Sequence, residues 1–298
     1  MTSKMKYYIM MDMGGTSLKS AILNQEGKIL NHSFSKDKIN ENGSLEEIIK
    51  NMSHILRKKL NQVKNFGELA GLGFSVPGPF DYERGISLMM HKYRSIYNIN
   101  LKEEIIKSLE LPHYLPVLFE EDSIAFLKGE AYNGNAVSAN RIIGLTLGKG
   151  LGSAFMVKGK IVKDSALLPA NGELWCLPHH DGIIEDNISR RGIIKIYKRI
   201  SRDLIKRDVK DIASQAKSGD PDALQTFKEF GEDMGCLLKP HIKRFRGEVI
   251  VIGGQIAKGF DLFAESLTKA LRDVPSLRKI TPAKYIDLSV FFGIYTAF

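Results

Sequence analysis

Cysteine is scarce in this chain of 298 residues: Cys176 and Cys236 are the only two, and they form no Cys-x-x-Cys pair. That excludes a disulfide framework and a thiolate zinc cluster as the basis of the fold. Long apolar runs are missing as well. None approaches the roughly 20 residues that span a bilayer, and the early "YYIMM" run is cut short by Asp12 before it reaches signal-peptide length. A cytoplasmic location is therefore the default expectation, with no membrane partner. Concentrated charge is absent too. The net charge is +9, but the positives are scattered through "ILRKKL", "SRRGIIKIYKR" and "KPHIKRFR". Without a polybasic block or an aromatic-interleaved basic strip, no nucleic-acid partner is expected. A solvated surface with some help for an anionic ligand fits better.

What is present is an ordinary globular composition, 43% hydrophobic and 26% charged, on a chain long enough for one large domain or two ordinary ones. The pattern opens with strands at Tyr7–Asp12 and Leu18–Leu23. A third is expected to follow the Gly27 turn and run through Phe34, making an antiparallel meander. A helix follows from Ser44 to about Leu60, with Ser44 as N-cap, Glu47 completing a capping box, and Ile48, Met52, Ile55 and Leu56 at helical spacing. Then come a strand at Leu69–Val76, a helix at Leu101–Leu109, a strand at Pro116–Phe119 and a helix from Asp122 to about Tyr132.

The plan restarts at "IIGLTLGKGLGSAFMVKGKIV": strand, glycine turn, strand, "GK" turn, strand. A helix is expected over Pro221–Phe245, capped by Asp220, with Leu224, Phe227, Met234 and Leu238 on one face. A buried strand "EVIVIGG", a helix at Phe260–Asp273, and a strand plus closing helix in "IDLSVFFGIYTAF" complete the chain. The chain reads as a duplicated unit.

Glycine pairs punctuate this plan. In "DMGGTSLK", Gly14 and Gly15 let backbone amides approach an anion closely; Thr16 adds a hydroxyl and Lys19 a charge. Asp12 is a candidate ligand for magnesium, through water. A plain Gly-Gly hairpin remains the alternative. The second turn, "LGKGLGS", holds Gly148, Lys149 and Gly150. Its strand–turn–strand order excludes a dinucleotide site, which needs a helix after the turn. The third pair, Gly253 and Gly254, ends a strand and precedes a helix, suiting contact with a nucleotide base or ribose.

Taken in order, "DMGGTSLKSAIL", "GFSVPGPFDYERGI", "FEEDSIAFLKGEAY", "LTLGKGLGSAF" and "VIGGQIA" resemble the motifs of the ROK family (repressors, open reading frames and kinases) over nearly the whole chain. The resemblance implies an α/β fold of the actin-like ATPase (ribonuclease H-like) type, two duplicated domains around a central cleft. The boundaries expected are 1–117 plus 286–298 for the smaller domain and 118–285 for the larger. It implies an ATP-dependent kinase of a hexose or hexose derivative, glucokinase-like, using ATP and magnesium, and a homodimer. A catalytically inactive sugar sensor without a DNA-binding domain is the alternative.

Asp122 matches the family's catalytic aspartate, a carboxylate near a helix start able to accept a proton from a sugar hydroxyl; a simple N-cap is the alternative. Glu173 and Glu185 match sugar-binding glutamates, and Gly78 a pocket wall. Asn98 lies where a sugar-contacting asparagine is common, or else in a surface loop. The departures are specific. Glu121 replaces an asparagine, Trp175 and Cys176 replace Gly and His, Lys149 replaces a threonine, and the family's zinc-binding cysteine run gives way to "PHHDGII". No structural zinc is expected, and His179 and His180 read as surface or pocket-edge residues. Glu121 beside Asp122 implies that one carboxyl titrates high or that a cation sits with them. Trp175 reads as a stacking face for a sugar or as core. Cys176 is expected to line the sugar pocket, so Glu121 and Cys176 join the substrate-binding set. Which sugar is used is not written in the sequence.

Overall fold

The computed structural model describes residues 4–202 and 207–298. Contacts divide the chain into two compact units: one reaches to Gly129 and takes back Val290–Phe298, the other is Glu130–Ser289. Both boundaries fall later than expected. Val117–Glu121 lies in the first unit's sheet, so the division cannot come before it. Ser289 is tied by its hydroxyl to Glu130 and stays with the second unit.

Unit 1 is built on β1 (Lys6–Met13), β2 (Ser17–Asn24), β3 (Ser35–Lys38), β4 (Glu68–Val76) and, after the short pair β5 (Phe80–Asp81) and β6 (Ile86–Ser87), β7 (Val117–Glu121). The sheet order is β3-β2-β1-β4-β7. β1, β2 and β3 are antiparallel neighbours, while β4 runs parallel to β1 and β7 parallel to β4. The third strand begins just after the span expected for it. Ser33 places its hydroxyl on the Ile22 N–H at 3.1 Å, taking the donor a ladder partner would use, and pairing resumes only at Ser35.

Alternation along β1 puts Ile9, Met11 and Met13 on one face, where they pack with α1 (Leu45–Lys64) and α2 (Leu101–Leu109). Ser44 caps α1 as expected, its hydroxyl accepting from the Glu47 N–H at 3.2 Å, which is one half of the capping box. The helix runs one turn beyond Leu60. Phe74 stacks on Phe119 at 5.1 Å between centroids within this core. The other face carries Tyr8 and Met10 together with Gly71 and Gly73, and it is covered by α3 (Asp122–Asn133) and by residues 290–298 of α9 (Ser289–Tyr295) and its extension. Phe298 and Ile294 fill the spaces that side chains on Gly71 and Gly73 would need. Tyr8 packs edge-on to Tyr295 and against Phe298.

Unit 2 repeats the plan. Its strands are β8 (Arg141–Leu147), β9 (Leu151–Val157), β10 (Lys160–Ile161), then, after the short pair β11 (Pro178–His179) and β12 (Gly182–Ile183), β13 (Val249–Gly253) and β14 (Lys279–Pro282). The order β10-β9-β8-β13-β14 has the same directions as in unit 1. β13 lies between two parallel neighbours and is buried at every residue, which is why it reads as an uninterrupted apolar run. The helices are α4 (Ile184–Asn187), α5 (Arg190–Ser201), α6 (Val209–Lys217), α7 (Pro221–Phe245) and α8 (Ala264–Leu271).

α7 has the expected bounds, and Asp220 caps it by accepting from the Ala223 N–H at 2.8 Å. Leu224 departs from its expected place and is 42% exposed. Ala223 and Phe227 take the inward positions, and a step of about 100° from Ala223 turns Leu224 outward. The helix expected at Phe260–Asp273 is split: a 3₁₀ segment, Gln255–Leu262, stops at Phe263 before α8 begins. The last strand comes earlier than expected, at Lys279–Pro282, and no strand occupies residues 286–292.

Candidate active site

In unit 1 the parallel strands β1, β4 and β7 end on the same edge, the usual position for ligand-binding groups in open α/β sheets. β1 delivers Asp12 and then the Gly14-Gly15 turn. β7 delivers Glu121 and, as the first residue of α3, Asp122. Register aligns Lys36, Lys19, Asp12, Ser75 and Glu120 across the five strands. Lys19 Nζ lies 3.6 Å from Asp12, and Lys128 pairs with Glu120. Glu120 and Asp12 therefore leave the sheet at equivalent heights, on the face carrying α3.

Asp122 is half-buried, and its Oδ1 accepts the Ser123 N–H at 2.7 Å. Both readings of this residue, helix-start acceptor and reactive carboxyl, are therefore compatible. Burial pushes its pKa up to about 6, the Asp12 and Glu121 charges push the same way, and Lys92 opposes them. The expectation that two adjacent acids would raise one pKa is met, although burial and Asp12 outweigh Glu121. Glu121 itself accepts from the Ser123 hydroxyl at 2.8 Å.

The first glycine turn closes with Gly14 N–H donating to Ser17 O at 3.0 Å. A Cβ at Gly15 would meet Glu41 Oε2 at 2.8 Å, so the Glu41 side chain lies directly against this turn. Thr16 is exposed. Gly78 is exposed, with Tyr82 Oη 3.4 Å from where its Cβ would be. Asn98 is exposed in a loop, at φ 59°, with its N–H on Ser87 O at 2.7 Å.

In unit 2 the second glycine turn, Gly148 to Gly150, joins β8 to β9. The Gly148 carbonyl accepts the Arg190 N–H at 2.9 Å. Glu185 reaches the same turn: Oε2 accepts the Leu151 N–H at 2.9 Å, and Oε1 takes Arg191 Nη2 at 2.7 Å. The Glu173 segment is attached by Ser153, whose hydroxyl donates to Gly172 O at 2.7 Å and accepts from Leu174 N–H at 3.0 Å. The Glu185 N–H donates to Trp175 O at 3.1 Å. Glu173, Cys176 and Glu185 are thus drawn to one neighbourhood beside the turn.

Gly254 sits at φ 82°, and a Cβ there would fall 2.2 Å from the Leu147 carbonyl. The third glycine pair is therefore pressed against the entry to the second turn. Lys149 is exposed, and so are Cys176 and Trp175, the latter at 39%. The core alternative for Trp175 falls away.

Sequence reasoning missed Glu41, Lys92 and Tyr93 in unit 1 and Arg191 in unit 2. None sits in a glycine-punctuated motif, and all reach their positions through loop or helix geometry that local pattern does not encode. Among the described residues, no group of three or more His, Cys, Asp or Glu side chains is arranged to hold a metal. No helix among them is long and apolar enough to cross a membrane.

Two sheets of identical strand order, each opening on a glycine hairpin with carboxylates at its edge, define the actin-like ATPase fold. The sequence pattern of the ROK family matches residues 8–294, and the chain belongs to that family. It is 26% identical over 283 residues to a glucokinase of Thermotoga maritima, covering 88% of this chain and 86% of that protein. It is 24% identical over 289 residues to an N-acetyl-D-glucosamine kinase of Haemophilus influenzae, covering 89% and 88%. It superposes on the crystal structure of a ROK family glucokinase from Streptomyces griseus in complex with glucose and AMPPNP, with a TM-score of 0.77 at 19% identity over 98% of each chain.

Proposed function

We propose that the protein is an ATP-dependent carbohydrate kinase that transfers the γ-phosphoryl group of ATP to a hydroxyl of a hexose or hexose derivative. Family membership and the kinases it resembles support the class. The observation that carries the reading is Asp122: a half-buried carboxyl at a sheet edge, titrating near 6, which is charged at neutral pH yet still a competent proton acceptor.

Asp122 accepts the proton of the attacking sugar hydroxyl. Gly15, Thr16 and Gly150 offer amides, and Thr16 a hydroxyl, to phosphate oxygens, while Gly14 and Gly148, whose own N–H groups donate to Ser17 O and Gly150 O, keep the two turns free of side chains. Lys19 and Lys149 supply positive charge, and Gly253 and Gly254 give a side-chain-free approach for the nucleoside. Glu173 and Glu185 accept bonds from sugar hydroxyls, with Gly78, Asn98, Glu121 and Cys176 as further contacts. The donors fit a triphosphate: among the described residues the Gly15 and Thr16 amides have no acceptor, and a Cβ at Gly148 would meet nothing within 4 Å. Asp12, a half-buried carboxylate 3.6 Å from Lys19 Nζ with Asp122 close enough to feel its charge, fits magnesium, which keeps most of its water. That ion would neutralise phosphate charge.

The test is a coupled ADP-release assay with ATP and a panel of hexoses, N-acetylhexosamines and β-glucosides. Turnover with one class supports the proposal and names the sugar. Sugar binding by calorimetry without transfer to any member would favour the inactive sensor instead.

A further inference from the structure

The first glycine turn is held from behind by a residue remote in sequence. Tyr93 is fully buried, and its hydroxyl donates to the Gly14 carbonyl at 2.5 Å. Its backbone is left-handed, at φ 50° and ψ 40°, a conformation that persists in a non-glycine residue only where the surroundings enforce it. The Ile96 N–H donates to Tyr93 O at 3.0 Å, and two residues on Ser95 Oγ donates to Gly43 O at 2.7 Å, tying this segment down beside the buried ring. Burial, with the Glu41 and Asp12 carboxylates nearby, raises the phenol pKa. The proton stays in place and the hydroxyl remains a donor at working pH.

A trans peptide is planar, and its C=O and N–H point in opposite directions. The Gly14 carbonyl is turned toward Tyr93, so the Gly15 N–H is aimed the other way, where among the described residues it meets no acceptor. Glycine on both sides of that peptide bond would otherwise leave its plane free to rotate. The second turn has the same device made of backbone: the Gly148 carbonyl is held by the Arg190 N–H. In unit 1 the equivalent clamp is a side chain and can be removed.

We propose that Tyr93 is a positioning residue for the nucleotide, fixing the Gly14–Gly15 peptide so that the Gly15 amide is presented to a phosphate oxygen. The inference rests on the nucleotide reading above. It is tested by titrating Mg-AMPPNP calorimetrically into the full chain, comparing wild type, Tyr93→Phe and a variant with 4-aminophenylalanine at position 93. The last restores an N–H donor at the same ring position. Loss of one hydrogen bond and an unsatisfied carbonyl should weaken AMPPNP roughly 5–30-fold in Tyr93→Phe, with little change in thermal midpoint, and the amino variant should return to within about threefold of wild type.

Undiminished AMPPNP affinity in a folded Tyr93→Phe protein would overturn the proposal. So would an amino variant that folds but binds as poorly as Tyr93→Phe. If Tyr93→Phe does not fold, the amino variant alone decides, since it must then bind like wild type. A wild-type chain that does not bind AMPPNP would remove the nucleotide reading itself and this inference with it.

Discussion

Replacing Asp122 by Asn should make the protein more stable and less active at once. The Asp122 carboxyl is raised from 3.8 to about 6 in the folded chain, a shift worth roughly 3 kcal/mol at about 1.4 kcal/mol per pH unit. Below the unfolded value of 3.8 the group is protonated in both states and costs nothing. Between that pH and about 6 the unfolded chain gives up the proton while the folded chain keeps it, so stability falls as pH rises. Above about 6 the whole penalty is present. Asn is nearly isosteric, carries no charge, and its oxygen can still accept the Ser123 N–H.

Because Asp122 retains some solvent contact, the expected gain at pH 8 is about 1–3 kcal/mol, shrinking toward zero near pH 4. Urea unfolding of parent and variant across this range measures it directly. In the same preparation, turnover should fall about 10²–10⁴-fold, the range for loss of a general base, and the parent's kcat should rise through pH 6. A variant less stable than its parent at pH 8, an offset identical at pH 4 and pH 8, or undiminished turnover would each refute the assignment of a strained, functional carboxyl.

Three further outcomes are expected. Gly231→Ala should destabilise α7 packing although alanine favours helix by about 1 kcal/mol: the new methyl would lie 2.6 Å from the Phe263 carbonyl of the segment it packs on, and the clash should outweigh propensity by about 2 kcal/mol, read as a lowered urea midpoint. Glu130→Ala should cost about 3–5 kcal/mol, because the fully buried carboxylate accepts from the Asn135 N–H at 2.8 Å, the Lys284 N–H at 3.1 Å and the Ser289 hydroxyl; the two amides would be left unsatisfied, while Ser289 keeps the Tyr285 carbonyl at 2.8 Å, and a thermal midpoint within a degree or two of wild type would contradict this. Cys176 is exposed and should react readily with iodoacetamide, more slowly once the preferred sugar is bound; equal labelling with and without sugar would place it away from the substrate.

The parts of the fold legible in the sequence are those where one local rule dominates. α7 was bounded correctly because Asp220, Pro221 and a long apolar stripe agree. β13 was plain because a strand with parallel neighbours on both sides must be apolar throughout. β3 was misplaced because a single hydroxyl, Ser33, diverts the backbone from its ladder, and no periodicity announces that. The helix expected at Phe260–Asp273 overlaps the end of the 3₁₀ segment, Gln255–Leu262, because the break at Phe263 carries no glycine or proline to announce it. In the candidate site, the glycine pairs and Asp122 are legible only through their order along the chain, since singly each also reads as a hairpin turn or a helix cap. Tyr93 did not, because its partner is 79 residues away and a buried tyrosine otherwise reads as core. For Glu185 the sequence offers an acid in a motif-like segment, but its bonds to Leu151 and Arg191 depend on how β9 and α5 come together.

Residues 290–298 belong to the first unit, yet they follow the whole of the second in the chain. Gly293 approaches Ala125 so closely that even a methyl would lie 1.7 Å from its carbonyl, and Ile294 and Phe298 close over Gly73 and Gly71. During synthesis, therefore, α3 alone covers that side of the early-made sheet until the segment that follows the inserted unit has emerged from the ribosome. The nascent protein is most vulnerable to aggregation and to chaperone capture during that interval, and deleting residues 290–298 would leave Gly71 and Gly73 permanently uncovered.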